Sequence, residues 1–140
     1  MMRTRFAADE AQCQDCRHLF VHPEPGDMSY GEFIFSTTDG ERFAYCNAFE
    51  PGPQLIHELM GDATPDCFQS ALAHFADPLD NSPLTNETRC PKCGSTSLRR
   101  FTGKSCDPVT LPIVQFSIVL ALERSDLAEQ LSKFRANWPA

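Results

Sequence analysis

Two pairs of cysteines with the same spacing are the residues best suited to chemistry in this sequence. Cys13 and Cys16 lie near its start, and residues 17–89 separate them from Cys90 and Cys93. Two thiolates in one tight turn can bind the same ion, and two such turns supply the four sulfurs of the tetrahedron that Zn²⁺ accepts. We therefore predict one structural zinc site formed by these four cysteines.

The second pair lies in the segment Cys90-Pro91-Lys92-Cys93-Gly94. Pro91 presets the backbone of a turn, and Gly94 permits a positive φ after the second cysteine. The segment resembles the knuckle of zinc-ribbon and rubredoxin-like proteins. This resemblance implies a structural zinc site between β-hairpins and implies no particular activity. Iron in a rubredoxin-like centre would use the same four thiolates, but the structural role favours zinc.

Two separate metal sites are the alternative to one shared site. Each would combine one cysteine pair with single ligands from elsewhere in the chain: His18 or His22 with Cys46 for the first pair, and Cys106 with Asp107 or a distant histidine for the second. Neither set contains a second cysteine pair. Cys67 lies in the first turn of a predicted helix, where a thiol pKa is lowered, but we expect it to be a small buried apolar residue.

The composition is that of an ordinary globular domain. The chain has 140 residues, of which 41% are hydrophobic and 22% charged, and this balance excludes wholesale disorder and a coiled coil. No apolar signal segment is evident near residue 1, and the apolar tract over residues 111–122 is shorter than a membrane-spanning helix. We expect a cytoplasmic protein without a membrane partner, in which seven cysteines indicate metal binding rather than disulfides.

Charge is distributed unevenly along the chain. Residues 1–84 contain 14 acidic and 4 basic residues, whereas residues 85–140 contain 5 acidic and 8 basic residues. The segment 89–104 has five basic residues and no acidic one: Arg89, Lys92, Arg99, Arg100 and Lys104. An acidic protein is a poor general binder of nucleic acid, but this segment could contact a phosphate or another anion locally.

The elements that must position the cysteines predict an α+β fold. We expect one domain over residues 1–140, with a zinc-ribbon-like antiparallel β core from residues 10–50 and 88–123. A helical insertion spans residues 53–77, where two short helices are bounded by Pro53 and Gly61 and by Thr64 and Asp77. A C-terminal helix capped by Ser125 covers residues 125–137 and places an apolar stripe in the core.

The strand pattern predicts a hairpin over residues 33–46 with a turn at Thr38-Asp39-Gly40. A two-residue turn would place Phe35 opposite Ala44, and a bulged three-residue turn would place Phe35 opposite Phe43. We favour the bulged turn because it aligns aromatic pairs on one face.

Residues 113–123 alternate in hydrophobicity and are predicted to form a strand, and residues 97–101 a shorter one. Residues 22–26 and 77–88 are predicted to be loops.

Known enzyme motifs fail on these residues. His57 and Glu58 begin like a zinc-protease helix, but the second histidine position is Gly61. A nucleobase deaminase needs a proline before its cysteine pair, and Arg89 stands there. None of the four histidines has an evident nucleophile as partner.

We therefore predict a non-enzymatic zinc-binding module that binds another protein, with an acidic inhibitor or immunity-type protein as a special case. A nucleic-acid-binding zinc ribbon that uses segment 89–104 is the first alternative. A metal-dependent enzyme with an open coordination position is the second.

Overall fold

A computed structural model describes residues 3–24 and 31–139. The described residues form two antiparallel sheets and four helices, which confirms the α+β class. In chain order the elements are β1 (Arg3–Cys13), β2 (Leu19–Pro23), β3 (Glu32–Thr37), β4 (Phe43–Asn47), α1 (Pro51–Met60), α2 (Pro65–Phe75), β5 (Leu84–Thr85), β6 (Leu98–Arg99), β7 (Ser105–Pro112), α3 (Ser117–Ala121) and α4 (Arg124–Ala136).

The first sheet is built around β1, which pairs with β2 along one edge and with β6 and β7 along the other. Strand β6 pairs with the end of β1 that carries Cys13, and β7 pairs with the opposite end. The sequence did not predict β1 or β7 as strands, because the alanine and acidic residues of β1 and the two prolines of β7 have weak strand propensity. The strand predicted over residues 97–101 is confined to the two residues of β6.

The second sheet has the strand order β4-β3-β5. Our preferred hairpin register is wrong, because Phe35 pairs with Ala44 and Ser36 with Phe43. The turn explains the difference: the Thr37 side chain donates to Asp39, and the Arg42 amide donates to the hydroxyl of Thr37. These bonds close a loop of residues 38–41 without the predicted bulge, and the aromatic pairs that we expected do not form.

The helices of the insertion lie where the sequence placed them. Helix α1 begins two residues before Pro53, and Gly61 follows its end with a φ of 64°. Thr64 caps α2 by accepting a hydrogen bond from the amide of Cys67. The C-terminal helix buries Leu127 and Leu131, which confirms its apolar stripe. Its predicted cap is wrong, since α4 begins at Arg124 and Ser125 lies inside it.

The strand predicted over residues 113–123 is also wrong. Helix α3 occupies its centre, and Asp77 accepts hydrogen bonds from the amides of Ser117 and Ile118. Val119 is therefore buried, whereas Ile118 and Leu120 are more than half exposed. The alternation that suggested a strand does not match the face that the chain buries.

The two predicted loops are corrected in part. His22 and Pro23 belong to β2, and residues 25–26 lie outside the described residues. The segment over residues 77–88 is irregular except for β5, which pairs with β3.

The main core lies between the second sheet and the helices. It contains fifteen buried residues, among them Phe35, Ile56, Leu72 and Leu131. A second, smaller apolar cluster of Phe6, Tyr45 and Leu111 joins the two sheets.

Candidate metal centre

The first cysteine pair forms a tight turn at the end of β1. The amide of Cys13 donates to the carbonyl of His18 at 3.0 Å, and the amide of Arg17 donates to the carbonyl of Cys13 at 3.0 Å. The amide of Cys16 donates to the sulfur of Cys13 at 3.4 Å. Arg17 has a φ of 67°, a conformation that costs a non-glycine residue about 1 kcal/mol.

The second cysteine pair forms the same turn. The amide of Cys90 donates to the carbonyl of Ser95 at 2.8 Å, and the amide of Gly94 donates to the carbonyl of Cys90 at 2.9 Å. Gly94 has a φ of 79°, as its place after the second cysteine predicts. The two turns are thus equivalent residue by residue, with Arg17 in the first at the position of Gly94 in the second.

The four sulfurs lie together. The sulfurs of Cys13 and Cys93 are 3.5 Å apart and those of Cys16 and Cys90 are 3.6 Å apart, and all four lie within 4.8 Å of one another. Zn–S bonds of about 2.3 Å place the sulfurs of a regular tetrahedron about 3.8 Å apart. All seven cysteines are free thiols. The four cysteines therefore fit one tetrahedral metal ion.

Polar contacts hold the two turns against each other. The amide of Gln14 donates to the carbonyl of Ser97 at 2.9 Å, and the hydroxyl of Ser97 donates to the side chain of Gln14 at 2.9 Å. The hydroxyl of Ser95 donates to the carboxylate of Asp15. Together with the pairing of Cys13 and Leu98, these bonds position the ligands within the fold itself.

The β3–β4 hairpin supports the second turn. Gly40 has a φ of 77°, and a β-carbon built on it would lie 2.8 Å from the carbonyl oxygen of Arg89 and 3.2 Å from that of Cys90. Glycine is needed here for both its conformation and its lack of a side chain. The hairpin tip thus packs directly on the backbone of a candidate metal ligand.

The thiols differ strongly in acidity. Backbone hydrogen bonding, chiefly from the amide of Cys16, lowers the pKa of Cys13 to about 6. For Cys93 a hydrogen bond from the Ser95 backbone acts in the lowering direction, but contact with the other thiols and burial outweigh it and raise the pKa to about 12. Four thiolates this close together repel one another, so a bound cation would be needed to hold all four sulfurs ionised together.

The ligands of the alternative two-site arrangement lie apart from one another. Among the described residues, only the four cysteines form a group of at least three potential metal ligands. Cys46 is buried, and burial raises its pKa to about 12. Cys67 is buried as expected, and Cys106 lies half-buried in β7. His18 stacks on Phe20 instead of joining the cluster.

His22 has a partner that the sequence did not reveal. Its ring lies 3.1 Å from the carboxylate of Glu24 and 3.3 Å from the hydroxyl of Thr88, and it is almost fully buried. Burial, with help from the charge of Arg100, lowers the pKa of His22 to about 4, so the ring is neutral at pH 7. Thr88 is 66 positions away in the chain, and no sequence pattern connects it to His22.

Two of the five basic residues of segment 89–104 line different hollows. Arg99 lines a hollow beside the metal centre with Arg17, whereas Arg100 faces a different hollow beside His22. Arg89 forms an ion pair with Glu87. Lys92 and Lys104 are exposed.

In the part of the chain that the structure describes, no helix has the length and apolar character needed to cross a membrane. Comparisons with protein-family models, with curated proteins and with solved structures find no match.

Proposed function

We propose that the protein binds one structural zinc ion through Cys13, Cys16, Cys90 and Cys93 and acts by binding another protein. The observation that carries the zinc assignment is the equivalence of the two cysteine turns, whose sulfurs approach a tetrahedral spacing. Four thiolates fill the coordination shell of zinc and leave no position for a substrate, which favours a structural role over catalysis.

Metal analysis of the purified protein tests the zinc assignment. We expect one zinc per chain in the parent protein and a loss of metal in Cys13→Ser and in Cys90→Ser. Cys106→Ser is the matched control, because this half-buried strand cysteine lies outside the cluster. A result of one iron per chain would change the assignment from zinc to a rubredoxin-like iron centre. A result of two metal ions per chain would overturn the single site.

Two features support binding to a protein. Strand β2 lies at the edge of the first sheet and exposes Leu19 by 50% and Val21 by 43%. Both side chains share a face with Glu10 and Gln12, their pairing partners on β1. An exposed strand edge with apolar side chains is a surface that a partner chain can extend. The excess of acidic residues over residues 1–84 favours a partner with a basic surface. An inhibitor or immunity-type protein would bind a partner of this kind.

The nucleic-acid alternative uses a different surface. Arg17 and Arg99 line one hollow beside the cysteine turns, and Phe101 is 56% exposed two residues after Arg99. Basic and aromatic side chains together are typical of surfaces that bind single strands.

Variants of the two surfaces separate these functions. A partner found by crosslinking in the native cell, then purified and titrated, should lose affinity for Val21→Asp and keep it for Arg99→Gln. Binding of random-sequence DNA or RNA that falls steeply between about 50 and 200 mM salt, and that Arg99→Gln weakens, would instead establish the nucleic-acid function.

A further inference from the structure

A polar hollow is lined by residues from both sheets and from α2, and none of the four cysteines lines it. Its volume is about 170 Å³, and its lining includes Arg100 from the segment after β6, Glu32 from β3 and Gln69 from α2. Asn86 and Thr88 contribute from the segment after β5, and the buried Phe35 adds an apolar surface. The hollow is large enough for several water molecules or a small ligand.

Arg100 acts on the carboxylate of Glu24 through its charge, but it forms no ion pair with that carboxylate. Its guanidinium makes a 3.5 Å contact with the hydroxyl of Thr88 and forms no ion pair with a described carboxylate. The hydroxyl of Thr88 is occupied by His22, which Glu24 holds in place. Most of the donors of the guanidinium are therefore available to a ligand, in the fork geometry that matches a carboxylate.

Glu32 brings the opposite charge to the same hollow. Its carboxylate contacts the phenol of Tyr45, and it can also accept hydrogen bonds from a cation. Gln69 and Asn86 add amide donors and acceptors, and neither side chain has a hydrogen-bond partner among the described residues. The lining thus offers a positive group, a negative group and two neutral amides.

We infer that this hollow binds a small zwitterion with a carboxylate and an ammonium group, the chemistry of an α-amino acid. Arg100 binds the ligand carboxylate, Glu32 accepts from its ammonium group, and the amides of Gln69 and Asn86 complete the polar contacts. A simple anion would lie close to the charges of Glu32 and Glu24, and a simple cation would lie close to Arg100. A ligand with both charges satisfies both walls, which is why a zwitterion fits better than either.

NMR titration of the metal-loaded protein tests this inference. The twenty common L-amino acids are added one at a time up to about 10 mM, a limit that includes weak binders. We expect at least one of them to shift the side-chain amide signals of Gln69 and Asn86. The deaminated and decarboxylated analogues of that amino acid should each bind about tenfold more weakly, because each leaves one charged wall without its partner.

Two variants test which residue binds each charged group of the ligand. Arg100→Gln should weaken the amino acid about tenfold, and Glu32→Gln should weaken it while it strengthens the deaminated carboxylate. Arg99→Gln is the matched control, because Arg99 lines a different hollow, and it should bind like the parent.

The inference is overturned if no amino acid shifts these signals, if phosphate or acetate binds as tightly as the amino acid, or if Arg100→Gln has no effect. Metal content is measured on every variant, so a failure here is distinguishable from a failure of the zinc assignment.

Discussion

The sheet of β1, β2, β6 and β7 contributes Phe6 and Leu111 to a cluster of three buried apolar residues, whereas the sheet of β3, β4 and β5 packs on helices in a cluster of fifteen. Apart from Phe6, the described buried positions of β1 carry small side chains, such as Ala8 and Ala11. They bury little apolar area, so the first sheet gains little from the hydrophobic effect. The first cysteine turn lies at the end of β1 away from Phe6, and a bound metal ion would add stability there.

Removal of the metal should have the largest effect on stability. It should loosen the cysteine turns and β6 before the helix-packed region. Binding of structural zinc contributes on the order of 10 kcal/mol in small domains, comparable with the stability of a whole domain. In a chelator, hydrogen exchange should increase first in the cysteine turns and β6, while the amides of α1, α2 and β3 retain protection. Simultaneous loss of protection in both regions would show that they do not differ in this way.

Leu131→Ala tests the helix-packed region. Leu131 is 2% exposed in the main core, and its truncation should cost about 2–5 kcal/mol of unfolding free energy. Chemical denaturation measures this loss, and metal analysis should still find one ion per chain. Loss of the ion in this variant would mean that the metal centre depends on the helical core.

Acid should weaken the protein through His22. Its pKa is about 4 in the folded state and about 6.5 in the unfolded chain, so the unfolded chain binds the extra proton. The free energy of unfolding is therefore unaffected by His22 above pH 6.5. It decreases by about 3 kcal/mol as the pH falls from 6.5 toward 4. Burial raises the pKa of Glu24. This carboxyl therefore takes up a proton more readily in the folded protein and offsets part of the loss.

Protonation of the cysteines also releases metal in acid, so the measurement is the difference between the parent and His22→Gln. The pH dependence of unfolding should be shallower in the variant between pH 6.5 and 4. Equal slopes would contradict the assignment of a buried neutral ring.

Thr64→Ala should have the smallest effect. Thr64 accepts a hydrogen bond from the amide of Cys67 at 3.3 Å, and loss of such a cap costs about 1 kcal/mol. Thermal unfolding should show this decrease with metal content unchanged. Thr85→Ala is the control variant, because it removes the same hydroxyl group from the short strand β5 and not from a helix cap.

Helices α1 and α2 and the two cysteine turns could be predicted because local residues determine them. Pro53, Gly61 and Thr64 mark helix boundaries by their own backbone chemistry, and the C-x-x-C spacing specifies a turn. Gly94 signals its positive φ directly, whereas the same conformation at Arg17 has no signal in the sequence.

The errors arose where distant residues decide the local structure. Asp77 caps α3 from 40 positions earlier in the chain, so Ser117–Ala121, inside the alternating segment, become helical. Strand β1 contains residues of low strand propensity and forms because β2 and β7 pair with both its edges. The contact between His22 and Thr88, and the hollow beside it, depend on the same long-range packing.

X-ray absorption at the metal edge of the purified protein tests the central claim most directly. Coordination of one zinc ion by Cys13, Cys16, Cys90 and Cys93 predicts four sulfur neighbours at about 2.3 Å and no lighter ligand. A shell that contains nitrogen or oxygen atoms, or fewer than four sulfurs, would contradict the closed four-thiolate site.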